Sequence, residues 1–94
     1  MSKEDEYKLL IGAYYGIKSL DDYELKEYLL NDIRKLINEF ISNNKIEESK
    51  EKEELYNKEL SKRTKLQDAL IILQNINAPM EVVLLVRKHL KETK

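Results

Sequence analysis

Only a few residues of this chain have side chains that can hold a metal ion or transfer a proton. His89 is the single histidine in 94 residues that include no cysteine, and no carboxylate stands three or four positions before it. A zinc site needs several clustered nitrogen or sulfur ligands, so we predict His89 to be a surface or rim residue of the last helix. The lack of cysteine also excludes disulfides and thiolate metal sites.

A second candidate group is an acidic segment in the middle of the chain. Its glutamates are Glu47, Glu48, Glu51, Glu53 and Glu54. The segment lacks the alternating oxygen ligands and the central glycine of a calcium loop, which favours a solvated helix face. Gly12 and Gly16, four positions apart in an apolar segment, match neither a phosphate-binding loop nor a nucleophile elbow. We therefore predict no metal, no cofactor and no enzymatic activity.

Composition and charge narrow the class of protein further. Charged residues make up 37% and hydrophobic residues 41% of the chain, and the formal net charge is −1. This balance predicts one folded domain over residues 1–94. Acids and bases alternate throughout, which argues against a nucleic-acid-binding surface. The chain has no run of about 20 apolar residues, and its acidic start MSKEDEYK lacks a signal-peptide pattern, so we expect a cytoplasmic protein without a transmembrane segment.

The elements that position these residues are predicted to be helices along almost the whole chain. Apolar residues at helical spacing predict a first helix over residues 3–19, with Ser2 as its N-cap. Gly12 and Gly16 lie one above the other on this helix. Because glycine weakens a helix, their presence predicts that another backbone comes close there.

The second helix is predicted over residues 23–41. Asp21 and Glu24 have the spacing of a capping box, and Leu20 is placed to pack on Leu25. The short connection between the first two helices predicts an antiparallel hairpin.

The second half of the chain is predicted to contain two more helices. Residues 42–44, Ser-Asn-Asn, are a natural stop, and a single long third helix follows, with a solvated charged beginning and a buried later half. Asn75 or Asn77 is expected to end it, and Pro79 to open the fourth helix. The face of that helix is predicted to carry Met80, Val83, Val86 and Leu90.

Together these elements predict an all-α fold, an antiparallel four-helix bundle with a long hairpin, a charged third helix and a short C-terminal helix. The first and last helices are apolar around more than half of their circumference, which exceeds what one small bundle interior covers. We therefore expect a homodimer or a docking groove for a protein partner. The six tyrosines are expected mostly at half-buried positions with their hydroxyls in water. The predicted partner-binding residues are Tyr15, Val82, Leu85, Arg87 and His89.

One family resemblance covers most of the chain. The stretch YKLLIGAYYGIKSLDDYELKEYLLNDIRKLINEF, a polar middle and then LIILQNINAPMEVVLLVRKHLKETK resemble the small cytosolic immunity proteins that protect bacteria from pediocin-like bacteriocins. The resemblance implies a four-helix bundle without catalysis that blocks the pore made when a bacteriocin engages its membrane receptor. It further implies that residues 66–94 determine which bacteriocin is tolerated.

A shorter resemblance supports a second class of function. The segments LLIGAYY and NDIRK are similar to the two helices of the sporulation inhibitor Sda, a helical hairpin that docks on a histidine kinase. This likeness implies a small regulator, encoded by a phage or mobile element, that binds and blocks a host protein. Both resemblances imply protein–protein interaction.

Overall fold

Five α-helices make up the fold of the part of the chain that the structure describes. The structure is a computed structural model that describes residues 2–20, 23–47 and 49–93, and for residues 23–25 the backbone alone. Its helices are α1 (Lys3–Lys18), α2 (Tyr23–Asn43), α3 (Lys50–Glu59), α4 (Lys62–Asn75) and α5 (Met80–Glu92). No strand occurs among the described residues. The predicted all-α class is therefore confirmed.

The predicted bundle of four helices is wrong in one place, because the long third helix is two helices. Leu60 and Ser61 adopt extended backbone conformations, and the Ser61 hydroxyl accepts a hydrogen bond from the Thr64 amide at 3.1 Å. A serine side chain that binds a nearby amide offers the backbone an alternative to continuing the helix. The break separates the charged α3 from the apolar α4, and α3 then packs on α1.

The central element of the fold is α1, which packs against α2, α3 and α4, whereas α5 packs on α4. Four consecutive residues of α1, Leu10, Ile11, Gly12 and Ala13, are all buried. A helix that is apolar on every side is expected to lie inside a protein. The apolar surface of α1 that suggested a homodimer is therefore covered within the chain, and the homodimer remains a prediction without support from this helix.

The close approach of another backbone, predicted at both glycines of α1, is confirmed at Gly16 but not at Gly12, where side chains come close instead. A β-carbon added to Gly16 would contact the carbonyl oxygen of Lys65 and lie 2.8 Å from its carbonyl carbon. One added to Gly12 would contact the Asp68 carboxylate and lie 3.1 Å from a methyl carbon of Leu60. Residues later in α1 therefore meet residues earlier in α4, so the two helices run antiparallel with their backbones in contact.

Several predicted helix ends are also confirmed. The Ser2 hydroxyl accepts a hydrogen bond from the Asp5 amide at 3.2 Å and so caps α1. The short α1–α2 connection is present, but the predicted capping box of Asp21 and Glu24 and the contact between Leu20 and Leu25 lie outside the described side chains. Leu20 itself is buried in the core.

Two helices end with a residue in the left-handed conformation, Lys45 after α2 and Asn77 after α4, with φ of 52° and 53°. At each end an amide bonds back to a carbonyl five residues earlier, at 3.0 Å. This is the Schellman arrangement, which favours glycine or asparagine at the left-handed position. Asn77 fits this preference. The predicted stop at residues 42–44 is confirmed, since α2 ends at Asn43, although the left-handed residue that follows is Lys45.

Glycine in place of Lys45 is expected to raise the free energy of unfolding by about 1 kcal/mol, because lysine pays the steric penalty of the left-handed conformation and glycine does not. Urea unfolding followed by circular dichroism measures the change. Lys35→Gly, at an exposed site inside α2, is the matched control and is expected to lower stability by about 1 kcal/mol. If both glycine variants lost similar amounts of free energy of unfolding, the left-handed conformation of Lys45 would be contradicted.

The last helix is confirmed as a helix, but its predicted buried face is shifted. Val82, Val83 and Val86 are buried, whereas Met80 is 64% exposed and Leu84 is 54% exposed. Thus α5 buries one side only, on α4, and is not enclosed by the other helices. Among the helices that the structure describes, none combines the length and apolar character needed to cross a lipid bilayer.

Candidate functional site

The structure spreads the predicted partner-binding residues over two separate regions. On α5, Val82 is completely buried in the core, Leu85 is half-buried against it, Arg87 is exposed and His89 is partly exposed. Val82 therefore presents no surface to a partner. The run of apolar residues from Val82 to Val86 does not by itself show which side faces inward. The exposed apolar position belongs to Leu84, which the sequence did not single out.

Tyr15 lies beside α3 and is half-buried. Its ring packs edge-on against Tyr14 with 5.3 Å between ring centroids, and the Lys18 ammonium lies 5.7 Å from the Tyr15 centroid. Burial raises the pKa of the Tyr15 phenol, and the nearby Glu53 carboxylate adds to this effect. Tyr15 belongs to α1, and α1 packs on α3. Leu85 belongs to α5, and α5 packs on α4. The two are thus placed on different helix pairs.

Three of the described tyrosines depart from the predicted half-buried position, since Tyr28 is 42% exposed and two others are buried. Tyr7 and Tyr56 are buried in the core, where their ring centroids lie 5.9 Å apart, and Tyr7 also lies 6.1 Å from Phe40. Tyr56 is the buried aromatic anchor of α3, whose other large apolar residue, Leu55, is exposed. Tyr7 and Tyr56 hold the interior together and are not available as contact residues.

An open groove of about 350 Å³ lies between α1, α2 and α4. Both α2 and α4 pack on α1 but hardly on each other, and this leaves the space between them. The apolar residues that line the groove are Leu9, Leu10, Leu36, Phe40, Ile72 and Ile76. Leu10, Phe40 and Ile72 are buried, whereas Leu9, Leu36 and Ile76 keep part of their surface in solvent. The groove is therefore floored by the core itself.

The rim of this groove, which we call the α1/α2/α4 groove, is acidic. Its polar residues are Glu6, Glu39, Asn43 and Asn75, and none of the described lining residues is basic. All four polar residues are exposed. The spacing of apolar residues predicted each helix separately. The groove was missed because it exists only where three helices meet.

A charged contact fastens α3 to α2. The Arg34 guanidinium donates to both carboxylate oxygens of Glu53, at 2.7 and 3.4 Å, and lies 4.3 Å from the centroid of the Tyr14 ring. The hydrogen bond to Glu53 raises the pKa of Arg34, which stabilises the positive charge of its guanidinium. Glu53 is only 7% exposed. Its predicted place on a solvated face is therefore wrong, because it is buried and paired with Arg34.

All ion pairs found among the described residues involve α3. Besides the Arg34–Glu53 pair, they are Lys8–Glu59 at 3.2 Å and Glu4–Lys52 at 3.1 Å, which join α3 to α1. The last two are exposed and contribute little stability each. The charged segment is thus a docked helix, held by Tyr56 and by complementary charges.

Asp68 of α4 is a half-buried carboxylate beside the helix seam. Its oxygen occupies the space that the missing side chain of Gly12 leaves open. Burial raises the pKa of Asp68 from 3.8 to about 6. No hydrogen-bond donor or cation pairs with it among the described residues. Asp68 is a titratable group that the sequence did not single out, since any exposed helical position accepts an aspartate.

Asparagine at position 68 is expected to stabilise the protein at pH 7 by about 1 kcal/mol, after allowance for solvent screening of a half-buried group. Between pH 3.8 and about 6 the folded protein keeps the Asp68 proton and the unfolded chain releases it. The destabilising contribution of Asp68 is therefore complete above pH 6 and disappears as the pH falls below 4. Urea unfolding of Asp68→Asn and the parent protein at pH 4 and pH 7 measures this difference.

The matched control for this change is Asp32→Asn, at an exposed position of α2. It is expected to alter the free energy of unfolding by less than about 0.5 kcal/mol at either pH. A stabilisation by Asp68→Asn that is equal at pH 4 and pH 7 would contradict the assigned titration.

The described residues contain no cluster of three or more histidine, cysteine, aspartate or glutamate side chains able to hold a metal ion. Comparisons of this chain with protein-family models, curated proteins and solved structures return no match.

Proposed function

We propose that this protein works without catalysis, as a small helical binding protein of the bacteriocin-immunity type that acts on a protein partner. The observation that carries the proposal is the α1/α2/α4 groove, where half-exposed Leu9, Leu36 and Ile76 stand above buried core residues. Concave sites with an apolar floor and a few polar groups are the usual form of binding sites.

The groove also agrees with the division of labour that the resemblance implies. One of its walls consists of Ile72 and Asn75 of α4 and of Ile76, which follows α4 directly; all three lie within residues 66–94. That segment is the part of the chain expected to select the bacteriocin. Changes in this wall therefore alter the contact surface while the α1–α2 hairpin below it stays the same.

Survival of a bacteriocin-sensitive strain tests the proposal. Expression of the protein is expected to protect the strain from one or more pediocin-like bacteriocins, and exchange of residues 66–94 with those of a known immunity protein is expected to change which one is tolerated. Circular dichroism shows that each exchanged protein is folded. Unchanged killing by every bacteriocin tested, with folded protein present in the cells, would reject an immunity role.

A second candidate function, a regulator that covers a surface of a host protein, is favoured by the exposed side of α5. Met80 and Leu84 stand one helical turn apart and are exposed, with Arg87 and Lys88 exposed beside them. Apolar residues one turn apart and flanked by cations are typical of a helix that docks on another protein. A regulator is expected to form a stoichiometric complex that Leu84→Glu abolishes and that Glu92→Gln, on the same helix, leaves intact.

A further inference from the structure

We propose that the α1/α2/α4 groove binds a basic amphipathic helix of a partner protein. This inference rests on the proposed function and specifies the chemistry of the partner. It follows from three properties of the groove: its apolar floor, the sign of the charge on its rim and the shape of the space between the helices.

The floor requires an apolar ligand surface. Leu9, Leu36 and Ile76 each keep part of their side chain in solvent within one groove. Burying them under apolar side chains of a partner removes that surface from water, which is the main favourable contribution to association. The volume of about 350 Å³ accommodates a few side chains and not a whole folded element. The partner is therefore expected to insert anchors from one face of an element that lies across the groove.

The rim selects a cationic partner. Glu6 on α1 and Glu39 on α2 flank the apolar floor, and no described lining residue is basic. Both glutamates are exposed, and neither has an ion pair among the described residues. Opposite charges placed on each side of an apolar contact fix the register of a partner and speed its association. Lysine or arginine is thus expected on both flanks of the inserted face.

The shape favours a helix over an extended strand. An added strand needs an open sheet edge to pair its backbone, and the described residues form helices and no sheet. A helix satisfies its own backbone groups and presents side chains at i, i+3, i+4 and i+7 to a groove between helices. The partner is therefore an amphipathic helix with an apolar stripe and basic flanks.

A second copy of this chain is a poorer occupant. Its α5 exposes Met80 and Leu84 with the cations Arg87 and Lys88 beside them. The rest of its apolar side, formed by valines 82, 83 and 86, is already buried within its own chain, so α5 offers two apolar anchors instead of a continuous apolar stripe. Self-association through α5 is nevertheless measurable and is one outcome of the test below.

The test uses the full-length protein and three fluorescent 18-residue peptides. The first has leucines at i, i+3, i+4 and i+7 and lysines elsewhere, the second has glutamate in place of lysine, and the third is a scrambled form of the first. Fluorescence anisotropy at 50 mM and 500 mM NaCl measures affinity. The first peptide is expected to bind, about five- to tenfold more weakly at high salt, and the other two are expected to bind at least about tenfold more weakly.

Charge reversal locates the site. The double variant Glu6→Lys and Glu39→Lys is expected to weaken binding of the first peptide by about tenfold. The matched control combines Glu27→Lys with Glu92→Lys, which changes the net charge equally at exposed positions outside the groove. Glu27 lies about 18 Å from Glu39 along α2, twelve residues at 1.5 Å each. The control is expected to bind within about twofold of the parent protein, because screened charges act over roughly 8 Å.

Several results would overturn the inference. The first two are that the scrambled peptide binds as tightly as the lysine peptide, or that both double variants lose the same affinity for the lysine peptide. The others are that the lysine peptide does not bind, or that the protein forms a concentration-dependent dimer that Leu84→Glu dissociates and that the lysine peptide displaces.

Failure of the groove assignment can be told apart from failure of the proposed function. A protein that protects the sensitive strain but does not bind the peptide contradicts the groove assignment alone, whereas one that binds the peptide but gives no protection contradicts the immunity role alone.

Discussion

Alanine in place of Gly16 is expected to lower the free energy of unfolding by about 2–3 kcal/mol, although alanine is the better helix former by about 1 kcal/mol. The added β-carbon would contact the Lys65 carbonyl oxygen and lie 2.8 Å from the carbonyl carbon. These are backbone atoms of α4, which move only if the whole helix shifts. Chemical denaturation followed by circular dichroism measures the loss, a large fraction of the 5–15 kcal/mol typical of small domains.

Gly12→Ala is the matched control, one turn earlier on the same helix. Its β-carbon would contact the Asp68 carboxylate and a Leu60 methyl group, which are ends of side chains and can rotate away. The gain in helix propensity then offsets much of the repulsion, and a change within about 1 kcal/mol is expected. Equal losses at the two positions would show that the α1–α4 seam does not depend on backbone contact at Gly16.

Methionine in place of Arg34 is expected to destabilise the protein by about 2–3 kcal/mol, because it leaves the Glu53 carboxylate buried without its partner. The guanidinium also loses its position over the Tyr14 ring, 4.3 Å from the centroid. Since the pair fastens α3, the effect is expected to be local first. Hydrogen exchange measured by mass spectrometry should show faster exchange in α3 than in α4.

The reverse change, Glu53→Gln, is expected to cost less, about 1 kcal/mol, because the Arg34 side chain is 31% exposed and can turn to water. The double variant completes a thermodynamic cycle. Its loss of free energy of unfolding is expected to be smaller than the sum of the losses in the two single variants. Strict additivity would show that the two side chains contribute independently. Uniformly faster exchange in α3 and α4 would show that α3 does not open by itself.

The close contact at Gly16 and the Arg34–Glu53 ion pair explain how the polar helix α3 becomes part of the fold. The Gly16 seam brings α4 against α1, and the break at Ser61 then directs α3 back onto α1. The α3 helix supplies one buried aromatic ring, Tyr56, and one buried acid, Glu53. Its remaining surface stays in water, which satisfies its charges without desolvation.

The same packing bears on recognition. Because α1 occupies the centre, most of its apolar circumference is used inside the chain. Besides the exposed side chains of Tyr28, Leu55 and Ile71, open apolar surface lies in the α1/α2/α4 groove and on the outer side of α5. The first of these surfaces is concave and acidic, and the second is convex with mixed charge. A protein of this size thus presents two chemically different surfaces, and the variants at Glu6, Glu39 and Leu84 separate their roles.

The amino-acid sequence by itself determined the all-helical class, the N-cap at Ser2, the end of α4 before the left-handed Asn77 and the close backbone approach at Gly16. These features depend on residues near one another in the chain, where helical spacing, capping side chains and the conformational freedom of glycine act locally. The sequence also predicted a helix in the charged segment, and α3 forms there from Lys50 onward, whereas Glu47 precedes the helix.

Only the tertiary structure decided which side of each apolar segment faces inward and what meets it there. Val82 and Val86 became core while Leu84 stayed exposed, since α4 covers just one side of α5. Glu53 became buried because an arginine nineteen positions earlier lies opposite it. Such contacts join residues that are far apart in the chain, so they cannot be predicted from a local sequence pattern. The groove, the buried ion pair and the shifted pKa of Asp68 therefore arise only when the helices pack.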